Sequence, residues 1–142
     1  MEEDEYFLEI TAKKLKRYIF QGENEKTIRE IYRLLDLYPE KSYLLYYLLA
    51  QHYMFEEQGQ KTSYDKAIEA YKKVLETKNA NPDLVSSTLT NIAFAYKAIG
   101  DIENAIKYFD IKFVKFPGLR DNNPELYYKL KKIYNELLKK KE

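Results

Sequence analysis

The stretch that decides the fold is residues 86–119, which read SSTLTNIAFAYKAIGDIENAIKYFDIKFVKFPGL. Before Gly100, the side chains of Leu89, Ile92 and Tyr96 recur at steps of three and four, the spacing of one face of an α-helix. After this glycine, apolar side chains recur at the same steps until the proline near the end of the stretch. Glycine often ends a helix because it adopts positive φ without a Cβ clash. The stretch therefore predicts two helices joined by a tight turn.

The rest of the chain shows the same helical spacing, and no segment shows the strict apolar–polar alternation of a strand. Gly22 is a second stop signal, and the Asn-Pro pairs at 81–82 and 123–124 are start signals. Extra residues around 78–81 are expected to lengthen the helix before them by about one turn. We predict an all-α fold of seven helices over residues 4–20, 23–37, 40–57, 63–77, 82–99, 102–116 and 123–140.

Superposing successive helix pairs reveals an internal repeat. Aligned columns in the first helices hold a large residue, then a small or aliphatic residue, then a tyrosine. Aligned columns in the second helices hold a small residue and then an aromatic or aliphatic one. The columns are Lys14, Leu49 and Ile92; Leu15, Ala50 and Ala93; Tyr18, Tyr53 and Tyr96; Thr27, Ala67 and Ala105; Ile31, Tyr71 and Phe109.

These columns, with Gly100-Asp101 in the turn and Pro117 at the end of the pair, resemble the tetratricopeptide repeat. The resemblance covers about residues 8–119; it is strongest in the third pair and weakest in the first. It implies a single domain over residues 1–142, built as a right-handed α-solenoid of three helix pairs. The repeats would span about 8–41, 43–81 and 86–119, and a capping helix would follow at about 123–140.

Composition excludes several kinds of site. The chain of 142 residues has no cysteine and one histidine, His52, so thiolate and multi-histidine metal sites are excluded. A formal net charge of +1 gives no general reason to expect nucleic acid or an anionic membrane as a partner. No acid–base pair or phosphate-binding glycine loop is recognisable, so we expect neither an enzyme nor a cofactor. We expect His52 itself to be exposed or at the rim of the fold.

The chain carries no recognisable targeting signal. Its first residues, Met1-Glu2-Glu3-Asp4-Glu5, are acidic, whereas a secretory signal begins basic and then becomes apolar. Its longest uninterrupted apolar run, Tyr43 to Ala50, is far shorter than a membrane span. We expect a cytoplasmic protein, or a periplasmic one if a signal or anchor has been removed.

The family resemblance also implies a binding surface, because the first helix of each pair lines a concave groove in tetratricopeptide proteins. Aromatic anchors beside polar side chains suit a peptide or a partner helix. For Leu44, Leu48 and Phe55, packing against a neighbouring helix is the favoured alternative. The predicted groove residues are Lys16, Tyr47, Gln51, Met54, Thr90, Asn91, Phe94 and Lys97.

The leading functional prediction is thus a non-catalytic scaffold that binds a protein or peptide. The alternative is a structural subunit that works by self-association or within a larger complex. The last predicted helix is amphipathic, and its stripe is expected to cover the end of the stack or to form a homodimer. The stripe comprises Leu126, Leu130, Ile133, Tyr134, Leu137 and Leu138.

Overall fold

A computed structural model describes residues 2–54, 63–78 and 80–142, and the side chains of these residues other than Glu2, Ile19 and Phe20. The described residues form helices and no strand, which confirms the all-α prediction. A 3₁₀ turn at Pro39–Lys41 precedes α3. The α-helices are α1 Glu2–Phe20, α2 Asn24–Leu37, α3 Ser42–Met54, α4 Tyr64–Glu76, α5 Pro82–Ala98, α6 Ile102–Lys115, α7 Leu119–Asn122 and α8 Pro124–Lys141.

The predicted helix ends are confirmed where glycine or asparagine defines them. Gly22 and Gly100 adopt φ of 72° and 83°, a region that residues with a Cβ rarely enter. The side chain of Asn81 accepts a hydrogen bond from the Leu84 amide at 2.8 Å, with Pro82 in the first turn of α5. Asn123 caps α8 in the same manner. These local signals are readable from sequence because each satisfies amides that a helix leaves unpaired.

Three details differ from the sequence prediction. The helix predicted over 40–57 is divided, since a 3₁₀ turn precedes α3; its predicted residues 55–57 lie outside the described part of the chain. The short α7 was not predicted. The expected lengthening of α4 is wrong, because α4 ends at Glu76 and Thr77 is extended, with its amide and its hydroxyl both donating to the carbonyl of Val74.

The chain divides into two compact units, Met1–Ala80 and Asn81–Glu142. In the first unit, α1 pairs with α2, α3 packs against both, and α3 pairs with α4. In the second unit, α5 pairs with α6, and α8 packs against α6 and α7. The prediction of a single domain stays a prediction.

The three helix pairs, each considered by itself, share one backbone hydrogen bond between their two helices. In every pair, the residue before the second helix donates its amide hydrogen to the carbonyl of the aligned tyrosine in the first helix. The three bonds are Glu23 to Tyr18 at 2.9 Å, Ser63 to Tyr53 at 2.8 Å and Asp101 to Tyr96 at 2.9 Å. The aligned tyrosines therefore occupy corresponding places in the three hairpins.

The small-residue column is buried in all three pairs. Thr27, Ala67 and Ala105 are each 0% exposed, as the close approach of two helices requires. The first pair tolerates a buried hydroxyl here because Thr27 Oγ1 donates to the Glu23 carbonyl at 3.0 Å, which satisfies the polar group within the helix. The neighbouring column of Ile31, Tyr71 and Phe109 is also 0% exposed.

Two of the six residues in the amphipathic stripe of α8 are buried within the second unit. Leu130 and Leu137 are 1% and 0% exposed, and the Tyr134 hydroxyl donates to Asp110 of α6 at 2.6 Å. This hydrogen bond raises the pKa of Tyr134 to about 12. These contacts cover part of the stripe, whereas Leu126, Ile133 and Leu138 are half-buried, and a homodimer through α8 stays a prediction.

Candidate functional site

The predicted groove residues of the first unit lie on α1 and α3. Lys16 is exposed, whereas Tyr47 and Gln51 are half-buried on α3. The Met54 side chain is only 8% exposed, so we no longer count it among the accessible groove residues. Met54 is one of the buried side chains of α3, a helix that carries apolar residues on most of its surface and has no fully polar face.

The amide of Gln51 joins α3 to α4. The hydroxyl of Tyr71 donates to Gln51 Oε1 at 2.7 Å, and Gln51 Nε2 lies 3.4 Å from the Tyr47 hydroxyl. The rings of Tyr47 and Tyr71 also meet edge to face, with centroids 5.9 Å apart. These contacts fix the orientation of Tyr47 and engage Gln51 within the protein. The Gln51 amide therefore links the side chains of Tyr47 and Tyr71.

In the second unit, the predicted groove residues lie on α5. Thr90 and Asn91 are half-buried, and the Thr90 hydroxyl donates to the Ser86 carbonyl at 3.2 Å. Phe94 is half-buried, with its ring edge to face on Phe109 at 5.8 Å. Lys97, one turn further on, is exposed. A half-covered ring and an exposed ammonium one turn apart have the chemistry to bind an apolar side chain and an adjacent acidic group.

For Leu44, Leu48 and Phe55, the sequence favoured packing against a neighbouring helix over contact with a partner. Leu44 is 1% exposed and is a core residue, and Leu48 is half-buried. Phe55 lies outside the described residues.

A buried lysine next to these α5 residues was missed by the sequence analysis. Lys112 of α6 is 2% exposed, and its Nζ donates to the Ser86 hydroxyl at 2.8 Å and to the Ser86 carbonyl at 3.1 Å. Burial lowers the pKa of Lys112. A signal existed in the sequence: Lys112 follows Ala105 and Phe109 at steps of four and three, which places it on the buried stripe.

In the first unit, two hydrogen bonds to Asp4 fix the start of α1. Lys41 Nζ donates to Asp4 Oδ1 at 2.6 Å, and the Tyr43 hydroxyl donates to Asp4 Oδ2 at 2.5 Å. The hydrogen bond from Lys41, followed by that from Tyr43, lowers the pKa of Asp4. Burial and then the bond to Asp4 raise the pKa of Tyr43 to about 12. These bonds hold α1 against the beginning of α3.

The expectation that His52 is exposed is wrong, because the side chain is 7% exposed on α3. Burial disfavours the imidazolium and lowers the pKa of His52 below its ordinary 6.5. As pH falls below about 6.5, the unfolded chain binds a proton that the folded chain takes up only at lower pH. We expect the free energy of unfolding to decrease between pH 6.5 and the folded-state pKa, and to be insensitive to His52 above this window.

Urea unfolding at about pH 7.5 and about pH 5 measures this loss, and His52→Leu is the matched variant. Because no other histidine is present, the variant should lose this part of the pH dependence. If the pH dependence of the unfolding free energy were unchanged in His52→Leu, titratable groups other than His52 would be its cause. A ring-proton titration of His52 by NMR gives the folded-state pKa independently.

The described part of the chain holds neither a membrane-spanning helix nor a cluster of metal-ligating side chains. None of its helices is long and apolar enough to cross a bilayer. In the same residues, no three side chains among His, Asp and Glu lie close enough to hold a metal ion.

Comparison of the chain with protein-family models, with curated protein sequences and with solved structures returned no significant match.

Proposed function

We propose that this chain is a tetratricopeptide-like, right-handed solenoid that binds a peptide or a partner helix without catalysing a reaction. The single observation that carries the proposal is the repeated hydrogen bond in the three turns, from the amide before the second helix to Tyr18, Tyr53 or Tyr96. Three hairpins that share this hydrogen bond and one buried small-residue column are the units from which such a stack is built.

The proposed binding surface consists of the exposed or half-buried residues on the first helices. Its anchors are Tyr47 and Phe94, each with an edge-to-face ring contact that holds it in place. Its charged members are Lys16 and Lys97, both exposed. Rings held in advance lose little conformational freedom on binding, which favours affinity. The lysines favour a partner with acidic residues beside its apolar ones.

We expect Phe94→Ala combined with Lys97→Glu to weaken peptide binding by about 30-fold or more, the effect of removing a hot spot of about 2 kcal/mol. Peptides are first selected from a random display library on the complete protein. Affinities for wild type and variant are then measured by isothermal titration calorimetry. Circular dichroism and thermal unfolding establish that the variant is folded, since Phe94 also contacts Phe109.

The matched control is Val114→Ala combined with Lys115→Glu, which makes the same kinds of change on the exposed surface of the second helix α6. The proposal requires this control to bind the selected peptides as wild type does. Equal losses in both variants, or none in the groove variant, would contradict the groove as the binding surface.

A further inference from the structure

Helix α1 carries an exposed stripe that nothing in the first unit covers fully. Its residues follow at steps of three and four, so they lie on one face of the helix. Two of them are large and apolar: Tyr6 is 67% exposed and Ile10 is 49% exposed. We call this set the α1 stripe; it comprises Glu3, Tyr6, Ile10, Lys13 and Arg17, all exposed.

The internal repeat shows that this exposure is unusual for the position of Ile10. Ile10 precedes Tyr18 by the same eight residues that separate Leu45 from Tyr53 and Thr88 from Tyr96. Leu45 and Thr88 are both 0% exposed, whereas Ile10 remains half uncovered. In the first unit, α3, which carries Leu45, packs against α2 of the preceding pair. Among the described residues of the first unit, no helix covers the corresponding face of α1 in this way.

An open groove runs beside the stripe. Tyr6 and Ile10 border a depression of about 470 Å³, and Leu34 and Tyr38 at the end of α2 line its other side. Exposed apolar side chains around such a depression are typical of an interaction surface.

The charges of the α1 stripe are complementary to those of a second α1 stripe that runs antiparallel to it. Its acidic residue, Glu3, lies seven residues before Ile10, and its basic residue Arg17 lies seven residues after it. Two α1 helices that cross antiparallel at Ile10 would place each Glu3 opposite the Arg17 of the other copy. Each Tyr6 would lie opposite Lys13, a pairing that permits cation–π contact. In the single chain, Lys13 makes an exposed ion pair with Glu9 at 3.5 Å, which is easily exchanged.

We propose that the α1 stripe is a two-fold interface between two copies of this chain, with antiparallel α1 helices crossing at Ile10. Two-fold dimers that use the same surface on both subunits are the commonest protein oligomers, and they require a self-complementary surface. The reversed charge order of α1 supplies this complementarity, and the two Ile10 side chains and the groove supply the apolar centre. The interface is independent of the peptide-binding groove proposed above.

Sedimentation equilibrium of the complete protein over a concentration series tests the dimer. Wild type should change from monomer to dimer as concentration rises, and Ile10→Glu should remain monomeric because it places two like charges at the crossing point. Val114→Glu is the control, since it changes an 81% exposed valine on α6 and should dimerise as wild type does. A wild type that stays monomeric throughout, or an Ile10→Glu variant that still dimerises, would overturn the proposal.

Charge exchange tests the antiparallel pairing itself. Glu3→Arg and Arg17→Glu should each weaken the homodimer, because each places two like-charged pairs across the interface. A mixture of the two variants should associate more tightly than either variant alone, since both pairs in the mixed dimer are then of opposite charge. The double variant Glu3→Arg/Arg17→Glu should also recover. A mixture no tighter than the single variants would exclude this pairing and point to a different partner for the stripe.

Discussion

Phe109→Ala is expected to cost about 3–5 kcal/mol of unfolding free energy, the range for truncating a fully buried phenylalanine. The Phe109 side chain is 0% exposed, and its ring centroid lies 5.8 Å from Phe94, 6.1 Å from Phe113 and 6.3 Å from Tyr134. These rings belong to α5, α6 and α8, so one substitution removes contacts that join three helices. Because small domains are stable by only about 5–15 kcal/mol, the loss is a large fraction of the total.

Urea unfolding followed by far-ultraviolet circular dichroism measures this cost. The control is Val114→Ala on α6, where the side chain is 81% exposed and the expected change is within about 0.5 kcal/mol. A loss of under about 1 kcal/mol for Phe109→Ala would show that α5, α6 and α8 do not share the packed centre described above.

Leu130→Ala is expected to cost about 2–5 kcal/mol, because Leu130 is 1% exposed and lies on the face of α8 that packs against α6. The same experiment distinguishes the two roles that the sequence allowed for α8. If the stripe covers its own chain, the loss should be independent of protein concentration. If the α8 stripe joined two chains, the unfolding free energy of wild type would rise with protein concentration. Leu130→Ala would then lose this concentration dependence.

Lys132→Ala is the control for this substitution, since it changes an exposed residue of the same helix. We expect it to change the unfolding free energy by less than about 0.5 kcal/mol. A comparable loss in both variants would mean that helix propensity, and not burial of Leu130, determines the effect.

The helices and their ends were predictable because their causes are local. Glycine at positive φ and Asn-Pro at a helix start act within a few residues, and both kinds of signal are confirmed at Gly100 and Asn81. The division of the third predicted helix was less readable, because hydropathy does not distinguish the 3₁₀ turn at Pro39–Lys41 from the first turn of an α-helix. The small-residue and tyrosine columns were predictable because each marks a feature that recurs in all three hairpins, the burial of the small residue and the amide bond to the tyrosine carbonyl.

The polar interior was not predictable in the same way. Residue type alone places histidine and lysine at the surface, yet His52 and Lys112 are buried. His52 lies on α3, which is covered on several sides, and Lys112 is held by the backbone and side chain of Ser86 on another helix. Contacts of this kind depend on residues 26 positions apart, and no local pattern encodes them.

The candidate groove was predicted in part. The family resemblance supplied Tyr47 and Phe94, and each has a ring contact that holds it on its helix pair. It offered Gln51 as a partner-binding residue, whereas the structure shows its amide bonded to Tyr71. A column in an alignment gives the position of a side chain along a helix, but not the hydrogen bonds that it makes across the pair.

The central proposal is that the repeated hairpins stack so that their first helices share one face. Paramagnetic relaxation tests it directly, because the chain has no cysteine and a single spin label can be placed at Lys97→Cys. If the first helices are neighbours, the label on α5 should broaden the amide signals of α3 around Tyr47 and Gln51. Unaffected signals on α3, or stronger broadening on α4 around Glu69 and Lys73, would contradict the stacked arrangement and the groove that depends on it.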